Sequence, residues 1–282
     1  MFDQPDRDLT LPQRQSLFHW GGRVEIGIWR AQEPSGKTPV LFLNGFGFNM
    51  ELAGEFAAAF KDRDFVSFDA PGIGRSDPSI LPYTAFTFAQ LASRVIDEVG
   101  YDEVDVIGYS WGGAMATQLA LQHSKQIRKL ILIGAATGAT TIPGDWHLIS
   151  DWLVGLAPSQ TKTMEAKLQS MAKTATRSTT LASRVVVPSA WGLQCQIMAC
   201  SGWSSLPGAS MLTLPVHIMA SAGDPMVPLS NAQMLHATIP GSKLHVIQRA
   251  GHIFPFTRPV KTAGQLSAFL DGPASEAARK IA

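Results

Sequence analysis

Charge is scarce in this 282-residue chain, where Asp, Glu, Lys and Arg together make up 16%. The signs nearly cancel: Lys+Arg 23 stand against Asp+Glu 22, a formal net charge of +1, with no basic block. That excludes the electrostatic footprint of a nucleic-acid-binding protein. Cysteine is nearly absent. Cys195 and Cys200 are too few for a disulfide framework, and no cluster of His, Cys or carboxylate beside them offers a metal site. They read as small buried apolar side chains in a reducing compartment. Long unbroken apolar runs are missing too, although a membrane-spanning helix needs about 20 such residues. The nearest candidate, Val185 to Gly223, carries no Asp, Glu, Lys or Arg, but Pro188, Pro207 and Pro215 break it. The opening MFDQPDRDLTLPQRQ has charges where a signal peptide would have its apolar core. The expectation is a soluble, cytoplasmic protein with no transmembrane segment.

Apolar residues are plentiful at 45%, which excludes disorder over most of the chain. At this length they can build one large core with room for an insertion. LFHW–GG–RVEIGIW (Leu17 to Trp29) predicts a hairpin turning at Gly21-Gly22. Continuous apolar runs follow at Val40 to Asn44, Phe65 to Asp69, Val104 to Tyr109, Leu130 to Ala135, Val216 to Ser221 and Leu244 to Gln248. Strands covered on both faces have this composition. FAQLASRVIDEV, AMATQLALQH and VKTAGQLSAFL lie between or after them with helical patterns. Such alternation implies right-handed crossovers and a mostly parallel central sheet with helices on both faces, an α/β architecture.

One segment breaks the rhythm. Residues 141–211 contain no clear strand, and helix-like pieces such as TKTMEAKLQSMAK are interrupted by Pro and Gly. Seventy residues is too long for a plain connection. The expected division is therefore a core of residues 1–140 and 212–282, with 141–211 as an inserted, mainly helical lid.

Gly108-Tyr109-Ser110-Trp111-Gly112 satisfies G-x-S-x-G, a weak pattern alone. Its setting makes it specific: the strand VDVI leads into it and Gly113 with AMATQLALQ leads out as a helix. Such a strand–turn–helix forces the serine into a strained backbone, with glycines where neighbours approach closely. A serine hydroxyl needs a base, and the base an orienting acid, in the chain order Ser, Asp or Glu, His. Asp224, in SAGDPMVP, follows the strand VHIMAS, and His252, in RAGHIF, follows LHVIQ. Both loops should open on the carboxyl edge of the sheet, beside Ser110. Asp69 in FDAPGIGRSD is the rival acid, read as shaping a glycine-rich turn. His217 and His245 lie inside strand runs as satisfied core residues, His123 and His236 sit in helical stretches, and His19 precedes the hairpin turn. His147 falls in the insertion, where it could line a pocket. Two N–H donors for a developing oxyanion are expected from Trp111 and from Phe46, in the Asn44-Gly45-Phe46-Gly47 loop after VLFLN. Gly72-Ile73-Gly74 is read as a plain loop, because the helix and acid of a phosphate-binding fingerprint are missing.

Together these residues resemble the α/β-hydrolase superfamily over nearly the whole chain. LNGFGFNMEL, FDAPGIGRSDPS, VIGYSWGGAMATQ, ATGATTIPG, SGWSSL, AGDPMVPL and GHIFPFTR are most similar to the intracellular depolymerases of medium-chain-length polyhydroxyalkanoate. The resemblance implies that Ser110, Asp224 and His252 form a triad and that the insertion is a lid. It also implies a serine carboxylic ester hydrolase acting on medium-chain 3-hydroxyacyl esters, with an apolar ester or a polymer-granule surface as partner. No metal or organic cofactor is required. The alternatives are a 3-hydroxyacyl transferase using the same triad, a general esterase or thioesterase, and a non-catalytic binding protein on this fold. Haloalkane dehalogenases and epoxide hydrolases need Asp where Ser110 stands.

Overall fold

The computed structural model describes residues 9–33, 35–155 and 183–273, without side chains for 151–155. Eight strands form one sheet in the order β1-β2-β4-β3-β5-β6-β7-β8. They are β1 (Gln13–His19), β2 (Gly22–Trp29), β3 (Val40–Leu43), β4 (Phe65–Phe68), β5 (Val104–Tyr109), β6 (Ile127–Ile133), β7 (Val216–Ser221) and β8 (Lys243–Ile247). From β4 across to β8 every pairing is parallel, and β2 alone runs against its neighbours. The chain therefore leaves β3, β4, β5, β6, β7 and β8 at the same edge.

The helices are α1 (Gly54–Ala58), α2 (Ala85–Glu98), α3 (Trp111–Gln122), α4 (Trp146–Gly155), α5 (Ala190–Cys200), α6 (Leu206–Ala209), α7 (Leu229–Thr238), α8 (Phe254–Thr257) and α9 (Pro259–Asp271). Alternate strand residues feed opposite layers, as a period of two requires. Leu41, Leu43, Val106, Leu130 and Ile218 pack with α2, α3 and α7. Phe42, Ile107, Ile131 and Met219 pack with α1, α8 and α9. The second layer holds an aromatic cluster in which Phe42 meets Phe56 at 5.7 Å, and Phe56 meets Phe65 edge-on at 5.9 Å. The α/β expectation holds, and each apolar run named above overlaps a strand.

The hairpin differs in one detail. Its register pairs His19 with Gly22, so the turn is Trp20-Gly21 and not Gly21-Gly22. Both turn residues have positive φ, 49° and 76°, the geometry that matches strand twist in a two-residue loop. Tryptophan tolerates it because its ring lies against Tyr83 at 5.9 Å and His19 at 4.5 Å. Within the inserted stretch, the described residues hold α4, α5 and α6, joined to the preceding loop by one bridge between Gly138 and Ser204. TKTMEAKLQSMAK lies outside the described residues.

A buried ionic group ties the sheet together at its amino edge. Asp105 of β5 and Arg63 before β4 both have side chains with 0% exposure. Asp105 accepts from Arg128 Nε at 2.9 Å, while Arg63 also meets Asp62 and Asp271. Lys129 Nζ donates to the carbonyls of Phe269 and Leu270, both at 2.9 Å, closing the end of α9. Removing one member of such a group strands the others in a medium that disfavours lone charge. Asp105→Ala is expected to lower unfolding stability by about 3 kcal/mol, read by urea denaturation. The folded fraction should keep its turnover, because Asp105 lies at the opposite end of β5 from Ser110.

Candidate active site

The site grows from the junction of β5 and α3. Ser110 sits between them at φ 53° and ψ −118°, a region that L-residues enter only under constraint. Three backbone hydrogen bonds hold it there. Its N–H donates to Ile133 O at 2.9 Å, and its carbonyl accepts from Gly113 at 2.9 Å and Ala136 at 3.0 Å. A Cβ on Gly112 would strike the Leu43 carbonyl, and one on Gly108 would come within 2.5 Å of Ala116 Cβ. Those two glycines let the helix start pack against the strand ends.

Asp224 and His252 arrive from the ends of β7 and β8. His252 Nε2 lies 2.9 Å from Ser110 Oγ, and its Nδ1 lies 2.7 Å from Asp224 Oδ2. The carboxylate can only accept, so Nδ1 carries the proton and Nε2 is left to accept from the hydroxyl. Asp224 Oδ1 accepts from the N–H groups of Met226 and Val227, both at 2.9 Å. Both oxygens of that buried carboxylate are thus hydrogen-bonded. The three residues named from sequence stand together in one hydrogen-bonded line.

A cavity of about 340 Å³ opens on Ser110, near the lower end of small-molecule sites at about 300–1,000 Å³. Phe46, Phe48, Ile149, Ile197, Met226 and Val227 line it, and among the described residues no Asp, Glu, Lys or Arg does. Ile149 belongs to α4 and Ile197 to α5, so the inserted stretch supplies part of the wall. Phe46 borders the cavity, and Trp111 is the first residue of α3, so its N–H has no carbonyl one turn earlier. His147 does not reach the cavity: it lies exposed on α4.

Two contributors escaped the motif search. Tyr109, fully buried, lays its ring 5.1 Å from that of His252 and donates its hydroxyl to the His252 carbonyl at 3.3 Å. Burial pushes its pKa well above the usual value. Gln196 of α5 reaches the loop after β3. Tyr109 was in view within the motif, whereas Gln196 gave no local signal.

The rival acid has a structural task. Asp69 accepts from the N–H groups of Met50 at 2.7 Å and Arg75 at 2.8 Å, bracing the Gly72-Ile73-Gly74 loop. That loop is plain, and Gly72 abuts Gly192 of α5 backbone to backbone. His217 is buried but not satisfied. Neither ring nitrogen has a hydrogen-bond partner among the described residues, and burial drives its pKa down to about 4, keeping it neutral. Cys200 is equally unreactive, its thiol pushed up to about 12 by burial. Among the described residues no group of three His, Cys, Asp or Glu could hold a metal ion, and no helix is long and apolar enough to cross a membrane.

This arrangement, an eight-stranded sheet with a serine on the β5–α3 turn, defines a class. The model of the alpha/beta hydrolase fold family matches residues 38–259, and the chain belongs to that family. It is 32% identical to a poly(3-hydroxyalkanoate) depolymerase from Ectopseudomonas oleovorans, over 83% of this chain and 84% of that one. It is 27% identical to a pimeloyl-[acyl-carrier protein] methyl ester esterase from Edwardsiella ictaluri, over 84% and 95% of the two chains. A hydrolase of known structure from Pseudomonas aeruginosa shares the fold, with a TM-score of 0.76 at 17% identity over 92% and 99%. With such relatives the chain is a serine ester hydrolase.

Asp69 generates a prediction about pH. Burial first, and the Glu51 carboxylate second, raise its pKa from 3.8 to about 7. The folded state therefore holds a proton that the unfolded chain releases near pH 4. Its contribution to stability is present below that pH and is lost as pH rises through 7. Asp69→Asn cannot ionise, so its stability relative to the wild type should improve between pH 4 and 7. Parallel urea titrations at both pH values would measure this. A constant difference would contradict the raised pKa.

Proposed function

We propose that this enzyme cleaves medium-chain 3-hydroxyacyl esters, the bonds of a polyhydroxyalkanoate, through a Ser110–His252–Asp224 triad and an acyl-enzyme. The observation that carries the reading is a cavity with no Asp, Glu, Lys or Arg among its described lining residues, opening on Ser110 Oγ, itself 2.9 Å from His252 Nε2. The depolymerase relative from Ectopseudomonas oleovorans supports the polyester as substrate. Residues 1–140 and 212–282 act as the core and 141–211 as the lid over the acyl chain. A cytoplasmic enzyme working at a granule surface fits this substrate.

In the first step Ser110 Oγ bonds to the ester carbonyl carbon, and its proton passes to His252 Nε2. The carbonyl electron pair moves to oxygen, where the N–H groups of Phe46 and Trp111 receive it. Asp224 stabilises the imidazolium. As the tetrahedral adduct collapses, the C–O bond to the leaving alcohol breaks and His252 returns the proton to that oxygen. Water, deprotonated by His252, repeats the addition and frees the acid. Asn at position 224 would keep the shape and lose the orienting charge.

Ser110→Ala should fold and lose at least ~10³-fold in esterase kcat/KM, because the covalent route is gone. Turnover within tenfold of wild type would refute the mechanism.

Chain-length preference tests the substrate. Each methylene transferred to the cavity contributes about 0.8 kcal/mol, so four extra carbons can raise kcat/KM by roughly two orders of magnitude. Acetyl, hexanoyl, octanoyl and decanoyl esters should be compared, beside clearing of medium-chain polyester granules. Preference for hexanoyl or longer together with clearing is expected. Preference for acetyl without clearing would overturn the substrate and leave the triad standing.

A further inference from the structure

The buried face of α5 touches the loop and the helix that carry the two expected oxyanion donors. Gln196, 1% exposed, does both. Its side-chain Oε1 accepts from the N–H of Gly47 at 2.8 Å, and its backbone carbonyl accepts from Trp111 Nε1 at 2.9 Å. Gln196 is absent from the lining of the acyl cavity and borders a smaller space behind it, with Asn44, Gly45 and Trp111. It therefore has no route to the substrate except through those neighbours. The next residue, Ile197, does line the acyl cavity.

The geometry points to Gln196 as a positioning residue that assembles the oxyanion hole. In the loop it grips Gly45 and Gly47 flank Phe46, and Gly47 holds φ at 72°, so glycine imposes little resistance to peptide rotation. Gly45 O accepts from Phe48 N–H at 3.1 Å, which closes the turn and leaves the Phe46–Gly47 peptide to be oriented by another group. In a trans peptide the N–H and the preceding carbonyl point in opposite directions. Holding Gly47 N–H on Gln196 therefore keeps the Phe46 carbonyl away from that side. The bond thereby fixes the plane of the Phe46–Gly47 peptide and with it the backbone of Phe46, whose own N–H must stay aimed at the developing oxyanion to lower the barrier. The second bond fixes the indole of Trp111, and with it the first residue of α3, whose backbone N–H is the other donor.

The helix bearing Gln196 is itself anchored. Ser189 caps it, accepting from Gly192 N–H at 2.9 Å, and donates its own N–H to Gly72 O at 2.9 Å. Upstream, Asn49 accepts from Val186 N–H at 3.0 Å and donates to Arg184 O at 2.9 Å. Position 196 is thus held from two sides while it holds the loop.

This inference rests on the proposed addition of Ser110 to the carbonyl, with Phe46 and Trp111 receiving the oxyanion, so its test separates failure of that addition from failure of the positioning role. Two variants are needed: Gln196→Met, which keeps length and removes the amide acceptor, and Gln196→Glu, which keeps an acceptor opposite Gly47 and adds charge. The substrate is a hexanoyl nitrophenyl ester. The second probe is a pentyl trifluoromethyl ketone, to which Ser110 Oγ adds, its proton going to His252 and the carbonyl pair to an oxyanion. Gln196→Met should lose roughly 10–100-fold in kcat, by comparison with deletion of one donor. KM should stay within about twofold, and affinity for the ketone should fall by the same factor as kcat/KM. For Gln196→Glu, kcat relative to wild type should fall as pH rises, because the ionised carboxylate opposes the oxyanion. This variant carries the test if Gln196→Met does not fold. Wild-type kcat in Gln196→Met, or a lowered kcat with unchanged ketone affinity, would overturn the positioning role. So would a pH-independent ratio for Gln196→Glu. Failure of the underlying reading looks different: the ketone would bind wild type and Ser110→Ala equally.

Discussion

The backbone of Ser110, bent to φ 53° at the end of β5, is the constraint to which the other parts of the site are fitted. A non-glycine residue in such a conformation costs on the order of 1–3 kcal/mol and persists only when its surroundings over-determine it. Here they do. The amide is tied to Ile133 on the neighbouring strand, and the carbonyl takes two N–H groups, from Gly113 and Ala136. Those bonds exist because β5 and β6 run parallel in register from Asp105–Lys129 to Tyr109–Ile133. The sheet core is thus what maintains the strain, and the strain is what lifts Oγ clear of the helix toward His252. Glycines at 108 and 112 follow from the same bend, since the chain doubles back so tightly that a side chain there would meet backbone.

The remaining parts are aimed at that one oxygen from independent elements. Asp224 follows β7 and His252 follows β8, while Tyr109, which also lines the cavity, lays its ring beside the imidazole. Phe48 and Phe256 pack on Tyr109 in turn, at 6.0 and 5.0 Å. The imidazole is therefore oriented by a carboxylate on one edge and by aromatic packing on its face. The carboxylate is kept ready to accept by two backbone N–H groups, a form of preorganisation that needs no further charge nearby.

How far this could be read beforehand depends on the range of each signal. Strand runs such as Val104–Tyr109 and Val216–Ser221 coincide with the observed strands, because burial on both faces leaves a continuous apolar stretch. Ser110, Asp224 and His252 were legible because each lies on the loop or turn that follows a strand and the parallel topology brings strand ends together. The hairpin turn was displaced by one residue, since the stacking of Trp20 on Tyr83 links positions 63 apart and overrides the preference for glycine at both turn positions. His217 was expected to be satisfied; its unpaired nitrogens depend on what α9 places over β7, chiefly Phe269 at 5.1 Å. Gln196 is the sharpest case. Glutamine in a helix is ordinary, and its importance rests on contacts 149 and 85 residues away.

The scarcity of charge from Val185 to Gly223 combines two different causes. Part of the run is core: Cys195, Ala199, Leu212, Leu214 and all of β7 are buried. Another part is apolar yet exposed, with Trp191, Ile197 and Met198 on α5 and Met211 beyond α6 between 39% and 73% accessible. An ordinary surface helix would place Lys or Glu at those outward positions. On α5 one side meets the sheet-bearing core and the other meets the cavity or solvent, so neither face is charged. Ile197 and Gln196 illustrate the division between adjacent residues, one forming the wall against which an acyl chain would lie, the other gripping the loop that would stabilise the oxyanion. A helix with both roles joins acyl binding to the geometry of the reacting centre: whatever displaces one face displaces the other. Binding energy gathered along an apolar chain can then be used at the carbonyl, which is where interactions must strengthen if they are to raise turnover rather than affinity alone.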